Sequence, residues 1–213
     1  MLHARWSKRY QSRDPAPLRQ LRKRSVQQMD HNHVCPWSHR WMLTVAGRKL
    51  LNNPGRIVGP WLQPGMTAMD VGCGVGYFTV PMARIVGDTG RVIAVDVQPE
   101  MLTAMQSNAD KAGCGNIVAH QCDFETLGVG EWAGAVDFAI LFYMLHEPTD
   151  PARLVGEVCD TIKPGGKVLF AEPLVHVDGP QFRRNTELFT QAGLHQISAP
   201  RIPISRAVVL QKP

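Results

Sequence analysis

Three glycines in five positions, Gly72, Gly74 and Gly76, break the stretch "TAMDVGCGVGYFTV" just after an apolar run that ends in Asp70. Each glycine weakens regular structure by about 0.5–1 kcal/mol relative to alanine, so such a cluster belongs where backbone turns sharply or a ligand comes close. Asp96 ends the next apolar run, "RVIAVD". There a carboxylate can accept hydrogen bonds from both hydroxyls of a ribose. Asp123 ends a third run in "QCDFETL", placed to accept from an adenine amino group, with Phe124 beside the ring. The glycine spacing is GxGxG rather than the GxGxxG of dinucleotide sites. Asp70 inside the turn would repel a pyrophosphate and attract a cationic amino group. Together these residues describe a site for an adenosine that carries an amino acid.

Such a site needs strands that end together and helices that start there. From Met66 onward short β-rich runs alternate with helical patterns, the signature of a parallel sheet covered on both faces. The runs are "MTAMDV", "RVIAVD", "NIVAHQC", "VDFAILF" and "KVLFAE". They are nearly continuous in apolar character, as strands buried on both faces must be. The spacing predicts a helix opening near Tyr77, a second from Pro99 to a stop at Gly113, and a third from Asp150-Pro151 to "KPGG" at Lys163–Gly166. A fourth lies around Gln181–Ala192. "HQISAP" and "SRAVVLQ" follow with a short turn between them, so the last strand is expected antiparallel. The expected fold is α/β: a Rossmann-like seven-stranded sheet, mostly parallel, in a three-layer αβα sandwich. In domain terms, residues 1–29 form a basic arm, 30–62 a helical lid over the ligand edge, and 63–213 the nucleoside-binding domain.

The segments "MDVGCGVG", "VIAVDVQPEML", "CDFETL", "VDFAILFYMLHE" and "LVGEVCDTIKPGGKVLFAEP" resemble, in order and spacing, the class I S-adenosylmethionine-dependent methyltransferases. The likeness is strongest to the small-molecule branch that includes the ubiquinone/menaquinone C-methyltransferases. It implies S-adenosyl-L-methionine as cofactor and a small-molecule methyl acceptor. It also implies that Asp70, Gly72, Cys73 and Gly74 hold the methionine end, and that Asp96, Val97 and Met101 hold ribose and adenine. Asp123 and Phe124 would hold the base, and the Phe142 backbone would meet the amino acid.

A sulfonium is an activated donor, so the protein's task is in-line positioning and, for weak nucleophiles, proton removal. Candidate bases are Tyr143, His146 and Glu147 after the fourth strand and Glu172 after the fifth. His146 titrates near neutrality and is well placed in "FYMLHEP"; alternatively it caps the next helix or braces Glu147. Glu172 either orders the acceptor or satisfies backbone near Pro173. Arg206 opens the last strand and could bind an anion. In the lid, His31, His33, Cys35 and His39 have no spacing that matches a zinc ligand pattern, so no metal is expected. Trp37 and Trp41, four apart, suit the apolar face of a covering helix.

The motifs of several other acceptor classes are missing. The turn after the fourth strand is not Asn/Asp-Pro-Pro-Tyr, no Pro-Cys nucleophile is present, and Glu147 and Glu157 do not share a hairpin. Arsenite remains a variant acceptor, since Cys35, Cys73, Cys114, Cys122 and Cys159 are soft ligands.

Five cysteines without a paired framework suit reduced thiols and a cytoplasmic location. No apolar run is long enough to span a membrane. Residues 1–28 hold eight Lys/Arg and one Asp, a local charge of +7; with +5 overall, the rest of the chain carries −2. The alternative function is therefore an RNA- or partner-binding protein that uses this arm on a methyltransferase fold.

Overall fold

The computed structural model describes residues 53–213. The basic arm, the histidine-rich stretch and Trp37 and Trp41 lie outside the described residues. Seven strands form one sheet in the order β3-β2-β1-β4-β5-β7-β6. Strands β1 (Thr67–Val71), β2 (Arg91–Asp96), β3 (Ile117–Gln121), β4 (Val136–Phe142) and β5 (Ile162–Pro173) are mutually parallel. The last strand, β7 (Ser205–Gln211), lies antiparallel between β5 and β6 (His195–Ser198). The seven expected strands are all present, the last of them reversed as expected.

Successive side chains of a strand point to opposite faces, so continuous apolar runs must feed two cores. One contains Ala68, Ala94, Phe138, Ile140 and Leu169, packed on helices α1 (Pro54–Val58), α2 (Thr79–Val86) and α3 (Pro99–Lys111). The other contains Met69, Ile93, Ala139, Leu141 and Phe170, packed on α4 (Pro151–Thr161) and α5 (Gly179–Gln191). Three layers result. Asp150 caps α4 and Asp178 caps α5, their carboxylates accepting from Arg153 N and Gln181 N, and Pro at the first turn presets each helix.

The end of the expected lid folds as α1 and a short 3-10 turn, Gly59–Trp61, with Val58 and Leu62 buried in the α2 core. "KPGG" differs from expectation. Helix α4 stops at Thr161, and β5 starts at once: Ile162 pairs with Val136, then Lys167 with Phe138, so residues 163–166 bulge from the ladder. Lys163 Nζ reaches Asp137 Oδ1 at 2.7 Å, while Asp137 Oδ2 accepts from Thr67 N at 2.8 Å. That carboxylate ties the bulge to β1 and makes the irregular start of β5 stable.

In an open sheet of this kind, ligands bind beyond the carboxyl ends of the strands where strand order reverses. Here that point is between β1 and β4. Among the described residues no helix is long and apolar enough to cross a membrane.

Candidate active site

The glycine turn fills the crevice at the end of β1. Gly72 N and Cys73 N both donate to Val95 O, at 2.9 and 3.0 Å, and Gly76 N donates to Cys73 O at 2.9 Å. The turn is thus pinned to the end of β2. Two glycines are required by space as well as by backbone angle. Gly76 has φ 86°, and a Cβ there would sit 2.8 Å from Met105 Cγ on α3. Gly72 has φ 73°, with Met144 Cβ at 3.1 Å from the same kind of position. Replacing Gly76 with Ala should combine left-handed strain with overpacking and destabilise the fold by about 1–3 kcal/mol. Chemical denaturation of the variant checks this; an unchanged midpoint would show that the turn accommodates a side chain.

Asp96 lies 8% exposed at the end of β2. Its Oδ2 accepts from Gly74 N at 2.8 Å and its Oδ1 from Gln98 N at 2.9 Å. Each carboxylate oxygen has two lone pairs, so both retain capacity for a ribose hydroxyl. Burial raises its pKa, opposed by these backbone donors. Asp70 is buried deeper, and its Oδ2 accepts from the Thr79 hydroxyl at 2.5 Å. Burial pushes its pKa up to about 7, the Thr79 hydrogen bond opposes this, and the nearby Asp96 charge adds to it. Two carboxylates thus flank one glycine turn.

Val97 and Met101 continue from Asp96 into α3, Met101 buried and Val97 half-buried. Asp123 has a structural task. Its Oδ1 accepts from Glu125 N and Thr126 N at 2.8 and 2.7 Å, closing the turn after β3. Phe124 is 61% exposed at that turn, an aromatic face open for stacking. Glu157 is likewise structural: its Oε2 accepts from Leu127 N and Gly128 N.

At the end of β4, Phe142 packs on Phe78 with ring centroids 4.5 Å apart. Tyr143 follows with φ 63°, a strained conformation for an aromatic residue, and its hydroxyl bonds Ser205 Oγ on β7. His146 Nδ1 lies 2.7 Å from Glu172 Oε2. Glu172, at the end of β5, is fully buried. The hydrogen bond to Glu172 raises the His146 pKa, against a smaller lowering by burial. The His176 ring stacks on His146 with centroids 5.9 Å apart and planes 9° apart. Arg206 Nη1 donates to Val177 O at 2.6 Å.

Of the residues singled out from sequence, Asp70, Gly72, Cys73, Gly74 and Asp96 converge at one turn, and His146 and Tyr143 lie on the adjoining edge. The pairing of His146 with Glu172 rather than Glu147, and the service of Thr79 to Asp70, were not foreseen. Glu172 lies at the end of one apolar strand and His146 just past the end of its neighbour, which is the signal that could have joined them.

A reversed seventh strand inserted beside β5, with a carboxylate-flanked glycine turn at the β1/β4 crevice, defines the Rossmann-like methyltransferase class. The chain belongs to the methyltransferase-domain family, whose model matches residues 62–198. It is 32% identical over 111 residues to the ubiquinone/menaquinone biosynthesis C-methyltransferase UbiE of Shewanella halifaxensis, covering 52% of this chain and 43% of that protein. To protein-L-isoaspartate O-methyltransferase 1 of Arabidopsis thaliana it is 31% identical over 140 residues, covering 63% and 57%. The chain therefore spans about half the length of these curated relatives. A crystal structure of a SAM-dependent methyltransferase from Aquifex aeolicus superposes with a TM-score of 0.75 at 22% identity, over 84% of this chain and all of that one.

Proposed function

We propose that the protein transfers a methyl group from S-adenosylmethionine to a small-molecule acceptor. The observation that carries this reading is the glycine turn held between the Val95 carbonyl and the Asp96 carboxylate. A nucleoside-like ligand suits a crevice floored by such a glycine turn and flanked by two carboxylates. When bound, S-adenosylmethionine supplies an electrophilic methyl group on a sulfonium. Asp96 would take the ribose hydroxyls, Asp70 would face the amino group, and Phe124 would cover the base. His146 and Tyr143 would border the acceptor.

Relatives include both C- and O-methyltransferases, so the acceptor atom follows from none of them. An arsenite acceptor gains no support from the described thiols: burial pushes Cys122 up to about 11 and Cys159 up to about 12, away from the reactive thiolate form. Release of S-adenosylhomocysteine across a metabolite panel tests the activity. If no small molecule is methylated while an RNA or protein is, the small-acceptor reading fails.

Asp70 predicts a pH dependence of cofactor binding. Its folded pKa of about 7 lies above the ordinary 3.8, so the apoprotein keeps the proton between those values. Its contribution to apoprotein stability is complete below 3.8 and is lost as pH rises through about 7. Binding an ammonium group beside it must expel that proton. S-adenosylmethionine affinity should therefore rise between pH 5 and 7, by up to about tenfold per pH unit, and level off above. Calorimetry in two buffers of different ionisation enthalpy should detect proton release at pH 6. Affinity without pH dependence would separate Asp70 from the amino group.

A further inference from the structure

We propose that Glu172 is a positioning residue that fixes His146 as a general base with its Nε2 toward the acceptor, and that the acceptor is a hydroxyl on an apolar ring. This rests on the methyl-transfer reading above. The geometry starts with the tautomer. Glu172 Oε2 can only accept, so in the neutral ring the proton resides on Nδ1 and the Nε2 lone pair is left for another proton. No described residue hydrogen-bonds Nε2, and the side chain of His146 is 23% exposed, whereas Glu172 is 0% exposed. The dyad therefore has one sealed end and one open end.

The sealed end has a feature that a simple brace does not need. Glu172 Oε1 is buried and has no hydrogen-bond partner among the described residues. A buried carboxylate left half unsatisfied is unfavourable, and tertiary structure tolerates it where charge has a use. Here the use is stabilising the imidazolium that forms when His146 gains a proton. The other groups around the ring are His176, stacked on its face, and Glu147, whose charge acts in the same direction as Glu172. Arg206, the cross-strand neighbour of Glu172 on β7, donates Nη1 to the Val177 carbonyl.

A base is useful only to an acceptor that does not lose its proton unaided. A phenolic hydroxyl has a pKa of about 10, against about 8.5 for a thiol. The rim of the same edge selects the acceptor's body. Leu174, Val175 and Ile204 are 48%, 84% and 57% exposed, and Leu174 N donates to Ile204 O at 3.0 Å, next to the Ser205 that holds Tyr143. This rim is apolar and borders the polar dyad, as a ring bearing a hydroxyl requires. In the transfer, the acceptor oxygen forms its bond to the methyl carbon as the carbon–sulfur bond breaks. The sulfur keeps that electron pair, and the hydroxyl proton passes to His146 Nε2.

Phenol and thiophenol serve as matched probes, since they share a ring and differ in the reacting atom. Glu172→Gln should slow methylation of phenol about 10–100-fold in kcat, with KM changed less than threefold, and move the acidic limb of its pH–rate profile to lower pH. Thiophenol turnover should change less than threefold, and Glu172→Asp should recover part of the phenol rate. Equal loss with both probes would make the dyad structural and overturn the proposal, as would an unmoved pH profile or turnover of neither ring. Independently of any variant, nitrogen-15 NMR of the wild-type chain should find the neutral His146 protonated on Nδ1; a proton on Nε2 overturns it. Failure to bind S-adenosylmethionine in calorimetry would instead sink the methyl-transfer reading.

Discussion

His146→Gln should lower turnover about 10²–10⁴-fold, the usual contribution of general acid–base catalysis, while S-adenosylmethionine affinity stays within about twofold. The imidazole is absent from the glycine turn's own hydrogen bonds, which run to Val95, Cys73 and Asp96. Glutamine can still donate toward Glu172, so the buried carboxylate keeps a partner and the fold is spared the larger loss that an apolar substitute would bring. The variant thus isolates proton transfer from stability. The wild-type profile should show an acidic limb above the ordinary histidine value of 6.5, because the Glu172 hydrogen bond raises the His146 pKa. That limb should vanish in the variant. Wild-type turnover by His146→Gln at neutral pH would leave positioning alone to account for the rate.

Asp96→Ala is the second large effect, and it falls on binding. Hydrogen bonds to a charged group contribute about 1.5–3 kcal/mol, so affinity for S-adenosylmethionine should fall about 10–150-fold. Part of the loss is indirect. The same carboxylate holds Gly74 N at 2.8 Å and Gln98 N at 2.9 Å, so its removal also loosens the glycine turn and the start of α3. Asp96→Asn separates the two contributions, since its single carbonyl oxygen can serve one of these donors but not both. Titration calorimetry that finds unchanged affinity for Asp96→Ala would remove Asp96 from the site. NAD should give no comparable thermal stabilisation.

Much of this molecule is readable from local pattern. Strands show themselves because each is buried on both faces, so "RVIAVD" and "VDFAILF" are nearly unbroken apolar runs. Helix starts show themselves because Asp150-Pro151 and Asp178 with its proline satisfy exposed backbone donors within a few residues. The glycine turn is legible because positive φ at Gly72, Gly74 and Gly76 is a property of the residues themselves. "KPGG" is misread for the converse reason. Proline and glycine do end α4, but whether the chain then loops or enters a strand depends on Asp137, a distant partner that holds Lys163.

The pairing of His146 with Glu172 belongs to the same distant kind. His146 and Glu172 are 26 residues apart, and nothing in either segment refers to the other. They meet because β4 and β5 are parallel neighbours in a register that sets Phe142 against Ala171, so the chain leaves both strands at the same edge. The sequence by itself determined the strands, the caps and the ligand turn, since these follow from burial and backbone freedom over a few residues. Which histidine faces which carboxylate was decided by tertiary structure alone, because strand adjacency and register arise from hydrogen bonds between segments that only folding brings together.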